Sequence, residues 1–266
     1  MRDSVRLYFR YLGISVRGQM QYRWNFICST LGHGLITGIE FLGIWALFAR
    51  FGSLRGWSLP EVALLYGIIS LAFALADGFS RGFDMFSVTV KAGDFDRLLL
   101  RPRSTVLQLA GQELVLKRVG RVLQASCVLW WATGALHLPW TAAHLALLVG
   151  AILGGACLFF GLFVIQATIS FWTVESLEMM NTVTYGGCET AQFPLSIYRP
   201  WFRRLFTFVV PLACISYFPG LALLGRAAPG LPLLLSWVSP LAGLLFLLVS
   251  FRVWQFGVRH YRSTGS

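Results

Sequence analysis

Six apolar stretches, most of them long enough to cross a bilayer, restrict this chain to a helical fold that passes through a membrane several times. They cover about 25–48, 60–79, 119–138, 144–171, 205–224 and 232–254. A bilayer core about 30 Å thick needs roughly 20 apolar residues of helix. With no water in that core to satisfy backbone N–H and C=O groups, the stretches are expected to be α-helices. Charged residues make up 12% of the chain, about half the share in a soluble domain. That is too few to cover a water-facing surface.

The formal net charge of +11 does not point to nucleic acid, because the basic residues flank apolar runs instead of forming one patch. Arg2, Arg6, Arg10, Arg17 and Arg23 precede the first run. Arg81, Lys91, Arg97, Arg101, Arg103, Lys117, Arg118 and Arg121 surround the connection between the second and third. Arg199, Arg203 and Arg204 precede the fifth, and Arg252, Arg259 and Arg262 follow the sixth. Only Arg50, Arg55 and Arg226 fall on the other side. Lys and Arg accumulate on the cytoplasmic side, so both termini are expected inside, in keeping with an even number of spans.

Residues 1–24 are not a span. On a helical wheel Val5, Phe9, Leu12, Val16 and Met20 form one stripe, and Arg6, Arg10 and Arg17 another. Such a helix lies in the headgroup layer with its arginines reaching phosphates. Tyr8, Phe9, Tyr11, Tyr22 and Trp24 favour this over a disordered basic tail. No cleavable signal peptide is expected, since the first run starts near residue 25 and lacks a small-residue cleavage site.

The connections FGSLRGWSLP, LPWTAA and GRAAPGLP, expected outside, are short. The expected cytoplasmic loops, about 80–118 and 173–204, are longer and could receive a soluble partner. In the first, Gly93 and Pro102 bracket DFDRLLLR, where Leu98, Leu99 and Leu100 beside Asp94, Asp96, Arg97 and Arg101 fit a short amphipathic helix. Leucines in a free loop need a cover, either the bundle itself or a peripheral subunit. Pro211 and Pro219 interrupt the fifth run, and proline kinks helices. The expectation is a broken fifth span: a kinked crossing followed by a short re-entrant piece, or one kinked helix.

Candidate chemistry is sparse. Glu40 is read as the only acid deep in a span, about 24 Å along its helix. Ionisable groups at that depth are costly and are functional candidates; the alternative is a protonated Glu satisfied by a neighbouring helix. Gly34 and Gly38, like Gly150 and Gly154, have the spacing that lets helices approach closely, though 27 glycines produce such pairs by chance. His33, His137, His144 and His260 share no metal-ligand spacing. Cys28, Cys127, Cys157, Cys188 and Cys214 form no zinc or disulfide pattern and are expected to pack as small apolar residues. Glu175 and Glu178 fit a solvated cytoplasmic face. No GxxxxGK[ST] occurs, so ATP-driven work would need another polypeptide.

GDFDRLLLRPRS (Gly93–Ser104), FWTVES (Phe171–Ser176), FPLSIYRPWFRRLFTFVVP (Phe193–Pro211), YFPGLALLG (Tyr217–Gly225) and WQFGVRHYRSTGS (Trp254–Ser266) carry a resemblance. In order along most of the chain they resemble membrane subunits of ABC type-2 transporters, the bacterial six-span group without a fused ATPase. The resemblance implies an all-α polytopic fold with six transmembrane helices. Residues 1–24 would be an interfacial elbow helix, 25–262 one transmembrane domain and 263–266 a tail.

It also implies a permease subunit, not an enzyme, in the bacterial cytoplasmic (inner) membrane, with export as the default direction. No cofactor is expected on this chain; MgATP would sit on a separate ABC ATPase subunit. Other implied partners are membrane lipids and a second permease, identical or different, and no nucleic acid. The loop about 80–118 would supply a coupling helix, with Gly93, Asp94, Asp96, Arg97, Leu99, Arg101 and Pro102 at the ATPase contact. By analogy spans one and five would form the path or dimer face, placing Gly34, Gly38, Glu40, Pro211 and Pro219 there, and Pro219–Gly225 would belong to short outer half-helices. Dry spans point to an amphiphilic substrate.

Two other classes stay in view. An intramembrane enzyme would want His, Asp, Glu or Ser converging at one depth, which is not seen. A stand-alone secondary carrier would want repeats with paired broken helices, and only one run is clearly broken.

Overall fold

The computed structural model describes residues 2–173, 177–227 and 232–261. After α1 (Arg2–Met20), a turn at Gln21 and Tyr22 leads into α2 (Arg23–Phe51) and then α3 (Leu59–Phe79). Four short helices follow: α4 (Arg81–Asp84), α5 (Phe86–Lys91), α6 (Asp94–Leu99) and α7 (Thr105–Ala110). Next come α8 (Val119–Ala135), α9 (Ala142–Ile169) and α10 (Leu177–Ala191). The last four are α11 (Pro200–Arg204), α12 (Tyr217–Leu223), α13 (Leu233–Val238) and α14 (Leu241–His260). Among the described residues the only β pairing is an isolated bridge between Leu54 and Trp57.

Local chemistry sets the helix ends. Gly52, at φ 71°, closes α2 by donating its N–H to Phe48 O at 2.8 Å. Ser58 starts α3, its N–H donating to Glu61 Oε2 at 2.7 Å, with Pro60 in the first turn. Thr141 caps α9 by accepting the His144 N–H at 3.2 Å.

A helix that is apolar all round belongs inside, and α3 obeys. Its apolar window is 89% buried, against 17% for α2, so α3 is the axis and α2 an outer wall. Close backbone approach lets the others gather round it. Gly154 of α9 and Gly243 of α14 cross with no room for a Cβ on either. Four described helices, α2, α3, α9 and α14, are long and apolar enough to cross a membrane, or five crossings if the bent pair Pro200–Val209 and Leu212–Leu223 counts as one. α8 is 17 residues long, about 26 Å of helix.

The expected fifth span is broken, with Pro200–Val209 and Leu212–Leu223 meeting at 76°, and the preceding helix sets where it lies. α10 starts where Gln166, near the end of α9, donates to Asn181 Oδ1 at 3.2 Å. Tyr185 then packs on Phe73 at 5.3 Å. Beyond α10, Trp57 Nε1 donates to Ser196 Oγ at 3.1 Å and Arg55 Nη1 to Ile197 O at 3.2 Å. So residues 195–198 lie beside the loop after α2, at the end of the bundle opposite α4–α7, and α10 runs the length between.

The apolar run at 205–224 therefore does not traverse the bundle. It leaves that far end, bends by 76° near Pro211, and reaches mid-depth where Ile215 lies beside Gly155 and Ala72. α12 then climbs back, and Arg226 pairs with Glu61 at 2.5 Å. The run is a re-entrant hairpin along its whole length, and Arg199, Arg203 and Arg204 sit at the far end with Arg55 and Arg226. Hydropathy misled here because α10 carries Asn181, Thr182, Thr184, Glu189 and Thr190, whereas the hairpin is apolar throughout. Glu175, the side chain of Glu178 and residues 262–266 lie outside the described residues.

Candidate functional site

The short helices α4–α7 form a platform across one end of the bundle. Gly93, at φ 71°, occupies the left-handed region that glycine adopts without strain, and it turns α5 into α6. From α6 Phe95 and Leu98 point inward, while Leu99 and Leu100 are 41% and 85% exposed. Phe95 and Leu98 thus take the bundle as their cover, and Leu99 and Leu100 are left exposed. Arg101, Pro102 and Arg103 continue the exposed apex.

The apex is stiffly backed. Phe95 meets Phe86 and Tyr261 at 5.0 Å each and Phe171 at 5.3 Å. Trp254 of α14, fully buried, packs on Phe83 at 5.4 Å and Phe86 at 5.0 Å, and donates Nε1 to Thr105 Oγ1 at 3.0 Å. Each aromatic pair is worth about 0.5–1.5 kcal/mol beyond its buried area. One cluster therefore fuses the platform to the ends of α9 and α14. Gln108 Nε2 donates to Leu98 O at 3.1 Å and Arg103 O at 3.2 Å, drawing the apex back onto α7. Asp94 and Arg97, 3.3 Å apart and exposed, add little to stability.

Two further ties anchor the platform. Arg118 Nε lies 2.5 Å from Asp77 Oδ2, and the Asp77 side chain is 1% exposed. α1 runs alongside: Leu114 N–H donates to Ser15 Oγ at 3.0 Å, and Leu116 N–H to Gln19 Oε1 at 3.2 Å. The platform is thus tied to α1, α3, α8, α9 and α14 by hydrogen bonds, an ion pair and packed rings.

The far end has its own lock. Arg226 pairs with Glu61 and lies 5.6 Å over the Trp57 ring, which in turn sits 6.0 Å from Tyr217. The Tyr198 hydroxyl donates to Thr190 O at 3.1 Å, supplying a partner to a carbonyl in the last turn of α10. Burial pushes that hydroxyl up to about 12, so it stays a neutral donor.

A family model described as ABC-2 family transporter protein matches residues 35–265. The chain belongs to the ABC-2 transporter family. No curated protein and no solved structure matches it. An ABC-2 family chain with these helices is a multi-pass membrane permease of an ABC transporter.

In this ABC-2 permease Gly93, Asp94, Asp96, Arg97, Leu99, Arg101 and Pro102 all fall on the platform, in and around α6. The other candidates are spread more widely. Gly34 packs on Gly120 of α8, 3.4 Å from its carbonyl oxygen to an ideal Cβ, whereas Gly38 faces open space. Gly154, whose spacing from Gly150 suggested close helix approach, is taken up by the crossing with Gly243 inside the chain. Glu40 is exposed on α2, Pro211 lies at the 76° bend of the hairpin, and Pro219 sits in the first turn of α12.

Sequence reasoning missed Asp77, Glu61, Trp254 and Glu189. Asp77 and Glu61 were legible as acids inside the second apolar run, each needing a cationic partner. Their partners, Arg118 and Arg226, come from distant segments, and only the fold pairs them.

Proposed function

We propose that this chain is the membrane half of an export system, working with a separate ABC ATPase that docks on the platform. The observation that carries this reading is the Leu99–Arg103 apex: exposed apolar and cationic side chains on a base packed against the bundle. Leu100, 85% exposed, has no cover among the described residues. A buried leucine gains about 1.5–3 kcal/mol over an exposed one, so an ATPase groove closing over the apex accounts for its composition. Closure of two ATPase subunits on ATP would then push α6, and the aromatic cluster would pass the displacement to α9 and α14.

The same reading makes α2, α3, α8, α9, α10 and α14 six membrane crossings of one domain, with both termini inside. α1 lies at the interface as the elbow helix. The Lys and Arg residues around the platform support that orientation. Two permeases, identical or paired, stand in a bacterial inner membrane, contacting lipid, with MgATP held by the partner and no catalysis on this chain.

Purification of tagged chain in mild detergent from its native host, with subunit masses read by mass spectrometry, tests the reading. A cassette ATPase at near-equal stoichiometry is the expected result. Recovery of the chain alone, under conditions that preserve a known ABC complex, would shift the assignment to a stand-alone carrier.

A further inference from the structure

Between α2 and the C-terminal end of α10 lies a cleft that neither the platform nor the hairpin accounts for. Glu40, Ile44 and Leu47 of α2 face Glu189, Gln192 and Phe193 across an open volume of about 380 Å³. On α2 the spacing is helical, so Glu40, Ile44 and Leu47 form one stripe, while Gln192 and Phe193 follow the last turn of α10, which carries Glu189. Gly43 has nothing within 4 Å of a Cβ position, which leaves the α2 side open.

Glu40 is about 16 Å from the nearer end of α2, where a carboxylate facing lipid tails is costly. Among the described residues no Lys, Arg or His lies within 4 Å of Glu40 or Glu189. Arg121 stands nearby, its guanidinium on Cys188 Sγ at 3.6 Å and over the Phe73 ring at 4.8 Å, and pairs with neither carboxylate. Gln192 supplies an independent sign. It is 5% exposed and lines the cleft, yet its carboxamide has no hydrogen bond among the described residues. Buried amides normally find partners. Two carboxylates with no ion pair among the described residues and one unpartnered amide therefore line one cleft.

We propose that this cleft binds the ammonium head group of an amphiphilic substrate. Glu40 and Glu189 balance the charge, Gln192 Oε1 accepts an ammonium N–H, and the Phe193 ring offers its face to the cation. Ile44 and Leu47 continue the cleft along α2 as an apolar surface for the tail. This rests on the permease reading, whose substrate class it names.

The test uses the full-length chain in phosphatidylcholine nanodiscs, with empty nanodiscs subtracted, and three labelled probes of equal chain length. Dodecylammonium is expected to bind at least about tenfold more tightly than dodecyl sulfate or dodecyl maltoside. Glu40→Gln combined with Glu189→Gln should abolish that preference, and each single change should reduce it. Equal binding of the three probes, or a preference that survives in the double variant, overturns the proposal. If the double variant is not monodisperse, the charge preference of the unaltered chain decides alone. Co-purification of the ATPase is scored separately, so cation binding without an ATPase would leave the cleft standing while the ABC reading falls.

Discussion

Asp77 and Arg118 are joined by an ion pair of 2.5 Å at the place where α3 enters the platform and the platform returns towards α8. The carboxylate side chain is 1% exposed and the guanidinium side chain 19%. A pair this buried is costly to halve. Removing one partner leaves a charge without compensation and typically costs about 3–5 kcal/mol, whereas replacing both by apolar groups is often nearly neutral.

Asp77→Ala is therefore expected to destabilise the chain more than the double change Asp77→Leu with Arg118→Leu. Thermal unfolding of detergent-purified protein ranks the variants. A double variant at least as unstable as Asp77→Ala would show that the pair is not what holds this junction.

Trp254 is the centre of the aromatic cluster, and Trp254→Ala should cost about 3–5 kcal/mol. Trp254→Phe keeps a ring but loses the donor to Thr105, at a cost of about 1 kcal/mol from the hydrogen bond. Melting temperatures should fall in that order, with Trp254→Ala also reducing transport per ATP hydrolysed. Indistinguishable melting for the two would remove the cluster from the account.

At the apex, Leu100→Asp should leave folding within about 0.5 kcal/mol of the original while lowering ATPase recovery in co-purification. Replacing Asp96 and Arg101 together should uncouple transport from ATP hydrolysis with the helices still inserted. Unchanged coupled transport in that variant would remove the coupling role from this loop.

The long apolar helices and the break near Pro211 were legible in the sequence; the path of the chain between residues 173 and 224 was not, for a physical reason. Apolar length identified α2, α3, α9 and α14, because a continuous run of some twenty apolar residues has few stable alternatives. DFDRLLLR between Gly93 and Pro102 placed α6 through local turn chemistry alone. Hydropathy went wrong between residues 173 and 224, where exposure to lipid and burial against protein are different matters. α10 can carry Asn181 and Thr184 because α3 and α9 cover much of it, and the second limb of the hairpin, α12, is apolar because it is buried, whereas Phe208 and Val209 of the first limb are exposed. Asp77 and Glu61 needed partners from far along the chain, Arg118 and Arg226, which no periodicity reveals.

That path is open to test by labelling. In a chain whose five cysteines have been replaced, Trp201→Cys and Leu100→Cys should react with an impermeant maleimide from opposite sides of the membrane. Trp201 is 63% exposed, so access is not limiting. Labelling of both from one side would return 205–224 to a crossing role.

The most direct measurement of the central claim is site-directed crosslinking in native-host membranes, with a thiol–amine reagent placed at Leu100→Cys, Trp201→Cys or Trp130→Cys of the cysteine-free chain. The account predicts an adduct with a cassette ATPase, identified by mass spectrometry, from Leu100→Cys alone. ATPase adducts from Trp201→Cys at the far end, or none from Leu100→Cys where the ATPase co-purifies, would contradict it.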